Sequence, residues 1–260
     1  MDIRGKVVLI TGASEGIGAA CADAFRRRGA RLALIARNED KLAGVAGEDA
    51  LAIPGDLTRE NDRRRAVERT LEAYGQIDIL INNAGVGLYA PAWSAPLDQV
   101  RCMFELNFIA PLAMIQLVTP HMRRRKGGMI VNVGSIAGKV TLPWLTLYSA
   151  SKYALGSLTD GLRIELRRYG IHAMTVCPGY VSTNFQNHVL VGRPPESVRD
   201  SRMFRISAQQ CAEAIAGGVE RDARTVVTPR ASWVFVLLER LFPRLIDAKL
   251  EEVHFRGQQK

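Results

Sequence analysis

The sequence predicts a single α/β domain built on a doubly wound, parallel, seven-stranded sheet with helices on both faces. Two observations carry that expectation. Short, unbroken apolar runs recur along the chain, each followed by a stretch of helical composition, and strands buried on both faces read as continuous apolar runs where half-exposed ones alternate. The chain is also long enough for one sizeable core, 260 residues at 47% hydrophobic content, and it has no internal repeat, low-complexity tract or linker that would divide it.

The elements follow in order. Lys6 to Ile10 is apolar and β-branched, Thr11 to Gly18 is small and glycine-rich, and Ala19 to Arg28 is helical and stops at Gly29, which reads as strand, turn and helix. A second strand spans Arg31 to Ala36, a helix begins at Asn38, a strand covers Leu51 to Pro54, and a helix runs from Arg59 to Tyr74. Ile77 to Asn82 is the fourth strand, Leu97 to Arg124 a long helix interrupted at Pro111, and Gly128 to Val133 the fifth strand. Ser149 to Tyr169 is the next helix and His172 to Cys177 the sixth strand. Ser207 to Val219 is a helix that opens on a capping box of Ser207 and Gln210, and Thr225 to Thr228 closes the sheet. The irregular stretch 182–206 holds Gly192, Pro194 and Pro195 and follows the carboxyl end of a strand, where such sheets bind ligands. It is expected to be a lid, and its Phe185, Val189, Leu190, Met203 and Phe204 imply an apolar substrate.

Composition excludes several classes of function. Cys21, Cys102, Cys177 and Cys211 lie far apart, and so do His121, His172, His188 and His254, so neither a disulfide framework nor a metal site is expected. The net charge of +9 is largely local, in Arg26 to Arg28, Arg63 to Arg65 and Arg123 to Lys126 near helix ends, with no aromatic residues interleaved. Cations there complement helix dipoles or face water, and no nucleic-acid partner is expected. No signal peptide is legible at the amino terminus, which points to a cytoplasmic protein.

The first strand-to-helix turn carries Gly12, Gly16 and Gly18, with Ser14 and Ile17 between them. Small residues let a backbone approach a pyrophosphate at the amino end of the following helix. A glycine cluster alone can be a plain turn; its place between strand and helix favours the dinucleotide reading. After the second strand an acidic residue would bind ribose hydroxyls and repel a 2′-phosphate, but this chain has Ala36 and then Arg37. Arg37 can pair with a phosphate, so NADP(H) is expected rather than NAD(H), unless Arg37 is a surface arginine partnered by Glu39 or Asp40.

Tyr148 and Lys152 stand four residues apart at a helix start, on one face. A phenol has a pKa of about 10, and an ammonium some 4–5 Å away would stabilise its anion by ~3–4 kcal/mol at an effective dielectric near 20. An oxidised nicotinamide would add another positive charge, and together they would bring Tyr148 near the range of efficient general acid/base catalysis. Tyrosine and lysine at this spacing also occur on ordinary amphipathic helices, as a packed ring beside a solvated amine.

The combination resembles the short-chain dehydrogenase/reductase family, of Rossmann fold. The resemblance rests on TGASEGIG from Thr11 to Gly18, Asp56 with Leu57, NNAG from Asn82 to Gly85, Asn107, Ser135, YSASK from Tyr148 to Lys152, and Pro178 with Gly179 and Thr183, in order between Lys6 and Pro229. It implies that Ser135 holds the substrate oxygen, Tyr148 exchanges its proton, Lys152 also holds the nicotinamide ribose, and Asn107 anchors a water that links Lys152 to solvent. Asp56 and Leu57 would meet the adenine side, Asn83, Ala84 and Gly85 the adjacent ribose region, and Pro178, Gly179, Val181 and Thr183 the nicotinamide. Duller roles exist: Asn82, Asn83 and Asp56 as strand-end turn residues, Thr183 as a helix cap. The family likeness further implies a homodimer or homotetramer paired through the two long helices.

Residues 1–229 thus read as the dinucleotide-binding and catalytic unit, and 230–260 as an amphipathic helical extension of it. Its apolar Trp233 to Leu238, Leu241, Phe242, Leu245, Ile246 and Leu250 are too few to span a bilayer. With Arg230, Arg240, Arg244 and Lys249 they suit a membrane surface, a cap on the active site or a contact with another subunit. The function expected is reduction of a carbonyl compound or oxidation of its alcohol; the alternative is a non-catalytic NADP-binding sensor or membrane-peripheral adaptor.

Overall fold

A computed structural model describes residues 1–192 and 205–256, with side chains to residue 252. The elements are β1 (Val7–Thr11), α1 (Gly16–Arg27), β2 (Arg31–Ala36), α2 (Glu39–Ala46), β3 (Ala50–Pro54), α3 (Glu60–Tyr74) and β4 (Ile79–Asn82). After α4 (Leu97–Phe104) and α5 (Ala110–Arg125) come β5 (Gly128–Val133), α6 (Thr146–Glu165), β6 (Ile171–Pro178) and β7 (Tyr180–Ser182). Then follow β8 (Arg205–Ser207), α7 (Ala208–Glu220), β9 (Thr225–Thr228), α8 (Ser232–Leu241) and α9 (Pro243–Arg256).

Seven strands form one parallel sheet in the order β3-β2-β1-β4-β5-β6-β9. The order reverses at β1, whose Val8 pairs with Leu32 on one side and Ile79 on the other. Crossovers therefore leave β1 in opposite directions, and a crevice opens at the carboxyl ends of β1 and β4. Apart from the half-buried edge strand β3, the sheet strands are buried nearly throughout, as their unbroken apolar runs require, and two apolar clusters cover the two faces. Phe25 and Ile215 belong to one cluster, and Met114, Val118 and Leu162 to the other.

Four departures from the sequence reading concern the site. The helix interruption lies at residues 105–109, a π-helical turn joining α4 to α5, rather than at Pro111, which sits in the first turn of α5. Pro111 has no N–H to give the carbonyl of Asn107 four residues back, so the α ladder is already broken there and the chain widens into the π turn. The α6 helix starts at Thr146, behind a 3₁₀ turn at Pro143–Leu145 and with no side-chain cap, so Tyr148 lies inside it. A two-stranded parallel sheet, β7 with β8, joins the two ends of the stretch expected to be a lid: Val181 pairs with Ile206. The extension is two helices broken at Phe242 and Pro243, where one was expected. The expected lid residues Met203 and Phe204 lie outside the described residues. Among those described, the helical run 97–125 is long and apolar enough to cross a bilayer; buried Met114, Ile115, Val118 and Met122 place one face of it in the core.

Candidate active site

A cavity of about 920 Å³ opens at the carboxyl ends of the strands, over the point where strand order reverses. The glycine turn forms its floor. Gly12 and Gly16 have φ of 65° and 58°, the left-handed region that a side chain disfavours. The α1 amino terminus has neither a side-chain cap nor acidic residues in its first turn, and its Gly16 and Ile17 line the cavity. That is the donor set a diphosphate requires, and the residues present fit a dinucleotide. Gly18 does not line the cavity. A Cβ there would stand 2.2 Å from the Gly12 carbonyl oxygen and 2.7 Å from Asn83 Nδ2, so this glycine lets α1 pack against the turn.

Asn83 holds the turn from the other side. Its Nδ2 donates to the carbonyls of Thr11 (2.9 Å) and Gly12 (3.1 Å), and its backbone N–H donates to Thr11 Oγ1 at 2.9 Å. It lines the cavity together with Ala84 and Gly85, while Asn82 turns away to donate to Asn132 Oδ1 at 2.9 Å. Asp56 and Leu57 close the far end. Burial raises the Asp56 carboxyl, but hydrogen bonds from the Thr58 N–H and hydroxyl, with the charges of Arg37 and Arg59, hold it below its ordinary value. Arg37 is exposed at the rim with no hydrogen bond or ion pair among the described residues, so Glu39 and Asp40 do not occupy it.

Sequence reading passed over Glu15. Its carboxylate receives Lys41 Nζ at 3.1 Å, Asn184 Nδ2 at 3.3 Å and His188 Nε2 at 2.5 Å, which ties the glycine turn to α2 and to the lid. Burial raises its pKa, and the hydrogen bonds from Lys41 and Asn184 and the charges of His188 and Lys41 more than reverse that. Its place inside the glycine motif was the available signal.

Ser135, Tyr148 and Lys152 line the same cavity. Ser135 follows β5 and caps a 3₁₀ turn, its Oγ accepting from the Ala137 N–H at 3.1 Å and lying in hydrogen-bond contact with Tyr148. Burial pushes the Tyr148 phenol well above its ordinary value, against the pull of the Ser135 hydrogen bond and with the nearby Tyr89 adding to the rise. Without a bound nucleotide the shift is thus upward, set by desolvation of the phenolate, with Lys152 Nζ 5.7 Å from the ring centroid. Burial also lowers Lys152, to about 8, and its Nζ donates to the Val133 carbonyl at 3.0 Å.

Asn107 is fully buried in the π turn and does not line the cavity. Its Oδ1 accepts from the Val86 N–H (2.9 Å), and its Nδ2 donates to the Val86 carbonyl (3.0 Å) and Ser151 Oγ (3.1 Å), so it fixes the wall next to Gly85. Pro178, Gly179, Val181 and Thr183 supply the opposite wall. Thr183 Oγ1 also caps the short 3₁₀ turn Asn184–His188, accepting from the Phe185 N–H at 3.3 Å.

The wall around Tyr148 is apolar. Phe185 meets Tyr148 edge-on at 6.0 Å, and Val189 and Leu190 pack with Val86, Tyr89, Trp144 and Leu145 around it. The extension covers this side: Ser232 and Phe235 of α8 line the cavity, and Leu250 of α9 packs against the same cluster. Trp144, Tyr89 and Gln186 were missed as lining residues; Trp144, one turn before Tyr148, is the one that helical spacing exposes.

The comparisons with known proteins agree with this arrangement. The sequence model described as short chain dehydrogenase matches residues 6–192. A dehydrogenase/reductase SDR family protein 7-like of Anopheles gambiae is 33% identical, over 97% of this chain and 85% of its own. A short-chain dehydrogenase/reductase of Burkholderia phymatum, solved with NAD, superposes with a TM-score of 0.85 at 25% identity over 94% of this chain and 96% of that one. A short chain dehydrogenase of Burkholderia cenocepacia, solved with NADP, gives 0.82 at 28% identity over 96% and 99%. On its fold, its glycine turn and these matches, the chain belongs to the short-chain dehydrogenase/reductase family of nicotinamide-dependent oxidoreductases.

Proposed function

We propose that the protein is an NADP(H)-dependent oxidoreductase that interconverts an apolar carbonyl compound and its alcohol. The observation that carries this reading is the convergence of Ser135, Tyr148 and Lys152 on the cavity that also contains the glycine turn and the unpartnered Arg37. When bound, the nicotinamide supplies or accepts the hydride at the carbonyl carbon. The Ser135 hydroxyl donates a hydrogen bond to the substrate oxygen. Tyr148, kept protonated by its burial, gives its proton to the alkoxide that forms there, a far stronger base than a phenolate. Lys152, still cationic at neutral pH with a pKa of about 8, supports the phenolate left behind and has donors to spare for a ribose. Asn107 is a positioning residue for Val86 and Gly85.

Support for NADP(H) comes from Arg37, which makes no hydrogen bond or ion pair among the described residues. Charge-assisted hydrogen bonds of this kind contribute about 1.5–3 kcal/mol, or roughly 10–150-fold in affinity. Fluorescence titration with NADPH and NADH, on the parent and on Arg37→Ala, tests it. NADPH should bind at least about tenfold more tightly, and the substitution should remove the difference; equal affinities in the parent would sink the assignment.

The outer face of the extension supports a cytoplasmic enzyme that also touches membranes at their surface. Trp233, Val234, Leu237, Leu238, Leu241, Phe242 and Leu245 are all exposed large apolar residues, with Arg240, Arg244 and Lys249 exposed among them. Homodimer or homotetramer formation is supported by Tyr153 and Ile164, exposed on α6.

A further inference from the structure

Lys41 is a cation where its helix does not favour one. It stands in the first turn of α2, beside Glu39 and Asp40, and the positive end of the helix dipole suits those two acids and disfavours an ammonium. Yet Lys41 lines the cavity and neither acid does. The local structure sets this up. β2 ends at Ala36, and Asn38 caps α2 by accepting the Lys41 N–H on its Oδ1 at 2.9 Å, so one capped turn positions both Arg37 and Lys41. From there Lys41 Nζ reaches the glycine turn and donates to Glu15 Oε2 at 3.1 Å.

The charges at this end of the cavity balance. Among the described residues that line it, the lysines and arginines are Arg37, Lys41 and Lys152, and Lys152 lies beside Tyr148. Arg37 acts on the Asp56 carboxylate, and Lys41 is paired with Glu15. Two cations thus face two carboxylates, whereas a phosphate monoester carries nearly two negative charges at neutral pH. Arg37, with Asp56 offsetting it, does not balance that charge alone. Lys41 is free to contribute. Its pair with Glu15 is part-exposed, with side chains 50% and 29% accessible, and ion pairs so placed hold weakly. An ammonium has three donors, and this contact engages one. Glu15 also receives His188 Nε2 at 2.5 Å and Asn184 Nδ2 at 3.3 Å, so it keeps partners when Lys41 turns to another anion.

We propose that Lys41 is a second specificity-determining residue for NADP(H), donating to the 2′-phosphate beside Arg37, and that Glu15 is the counter-charge that limits how strongly the phosphate is preferred. The two cations differ in kind: Arg37 offers a planar fork, and Lys41 a compact charge on a flexible stem. Glu15 acts in the opposite sense, by holding Lys41 and by adding a negative charge near the phosphate. The proposal rests on the NADP(H) reading above and deepens it, and the two are separable by comparing substitutions at Arg37 and Lys41.

The probes are adenosine 2′,5′-bisphosphate and AMP, which differ only in the 2′-phosphate, titrated calorimetrically at one fixed ionic strength. The parent should bind the bisphosphate at least about tenfold more tightly than AMP. Lys41→Met should cut that ratio about fivefold, Lys41→Arg should hold it within about twofold, and Glu15→Gln should raise it at least about threefold. Unchanged melting temperatures establish that the variants are folded, and rescue by arginine separates charge recognition from a packing effect. An unchanged ratio in Lys41→Met, or an equal fall for both nucleotides, overturns the role of Lys41. A ratio that is unchanged or lower in Glu15→Gln overturns the counter-charge. A preference that Arg37→Ala removes and Lys41→Met leaves intact overturns this inference alone, and a parent with no preference overturns it together with the NADP(H) reading.

Discussion

Gly18→Ala and Gly44→Ala are the same chemical change in two helices, and the structure gives them opposite signs. At Gly44, exposed in α2, an added Cβ meets nothing within 4 Å. Alanine there should gain the ordinary helix preference over glycine, about 1 kcal/mol. At Gly18 the same methyl lands 2.2 Å from the Gly12 carbonyl oxygen and 2.7 Å from Asn83 Nδ2. An ordinary carbon–oxygen contact is over 3 Å, so α1 must retreat by roughly 1 Å, a core overpacking worth about 3 kcal/mol. Set against the same 1 kcal/mol of helix preference, the net loss is about 2 kcal/mol. For a chain of this size that is ~4–8 °C in melting temperature. The retreat also moves the α1 amides and strains the Asn83 hydrogen bonds to Thr11 and Gly12, so the dissociation constant for NADPH should rise at least about tenfold. Differential scanning calorimetry and nucleotide titration on the parent and both variants check each sign. Gly18→Ala as stable as the parent, with unaltered nucleotide affinity, would refute the close approach of α1 to the turn.

Tyr148→Phe should lower turnover at least ~100-fold and leave NADPH affinity within about twofold, measured by steady-state kinetics and titration. Lys152→Met carries a pH signature. Because the folded-state pKa is lowered to about 8 from 10.5, the fold bears a buried cation below pH 8, and that penalty is relieved as pH rises from about 8 to 10.5. Urea denaturation should find the methionine variant about 1–3 kcal/mol more stable than the parent at pH 7, with the advantage shrinking toward pH 10; an advantage that grew with pH would contradict the assignment. Vesicles with anionic lipid should co-sediment the parent and release it in high salt, and L237E with L241E should abolish pelleting while leaving NADPH affinity unchanged.

Much of this was legible before any coordinates. Unbroken apolar strands such as Ile79 to Asn82 can only be buried on both faces, and the capping box of Ser207 and Gln210 forms as the spacing required. Of the expected site residues all but Gly18 and Asn107 reach the cavity wall, because glycine turns and strand ends are fixed by the fold rather than by packing detail. What was illegible depended on neighbours distant in sequence. The start of α6 was misjudged because Leu145 offers no cap, and Ser149, the residue that resembles one, is buried inside the helix. The rise in Tyr148 follows from burial by the lid and by Trp144 and Leu145, which the four-residue spacing to Lys152 does not report. The break in the extension at Pro243 was legible and overlooked.

The switch in strand order at β1 also shapes how the chain folds. Val8 pairs with Leu32, 24 residues on, and with Ile79, 71 residues on; closing the longer loop costs about 1 kcal/mol more. The β1–β2 half is therefore expected to assemble before β4 docks, and the nucleotide crevice, which needs both sides of β1, exists only once the topology is complete. A ligand bound there acts on the finished protein alone, lengthening its lifetime against unfolding without hastening its birth.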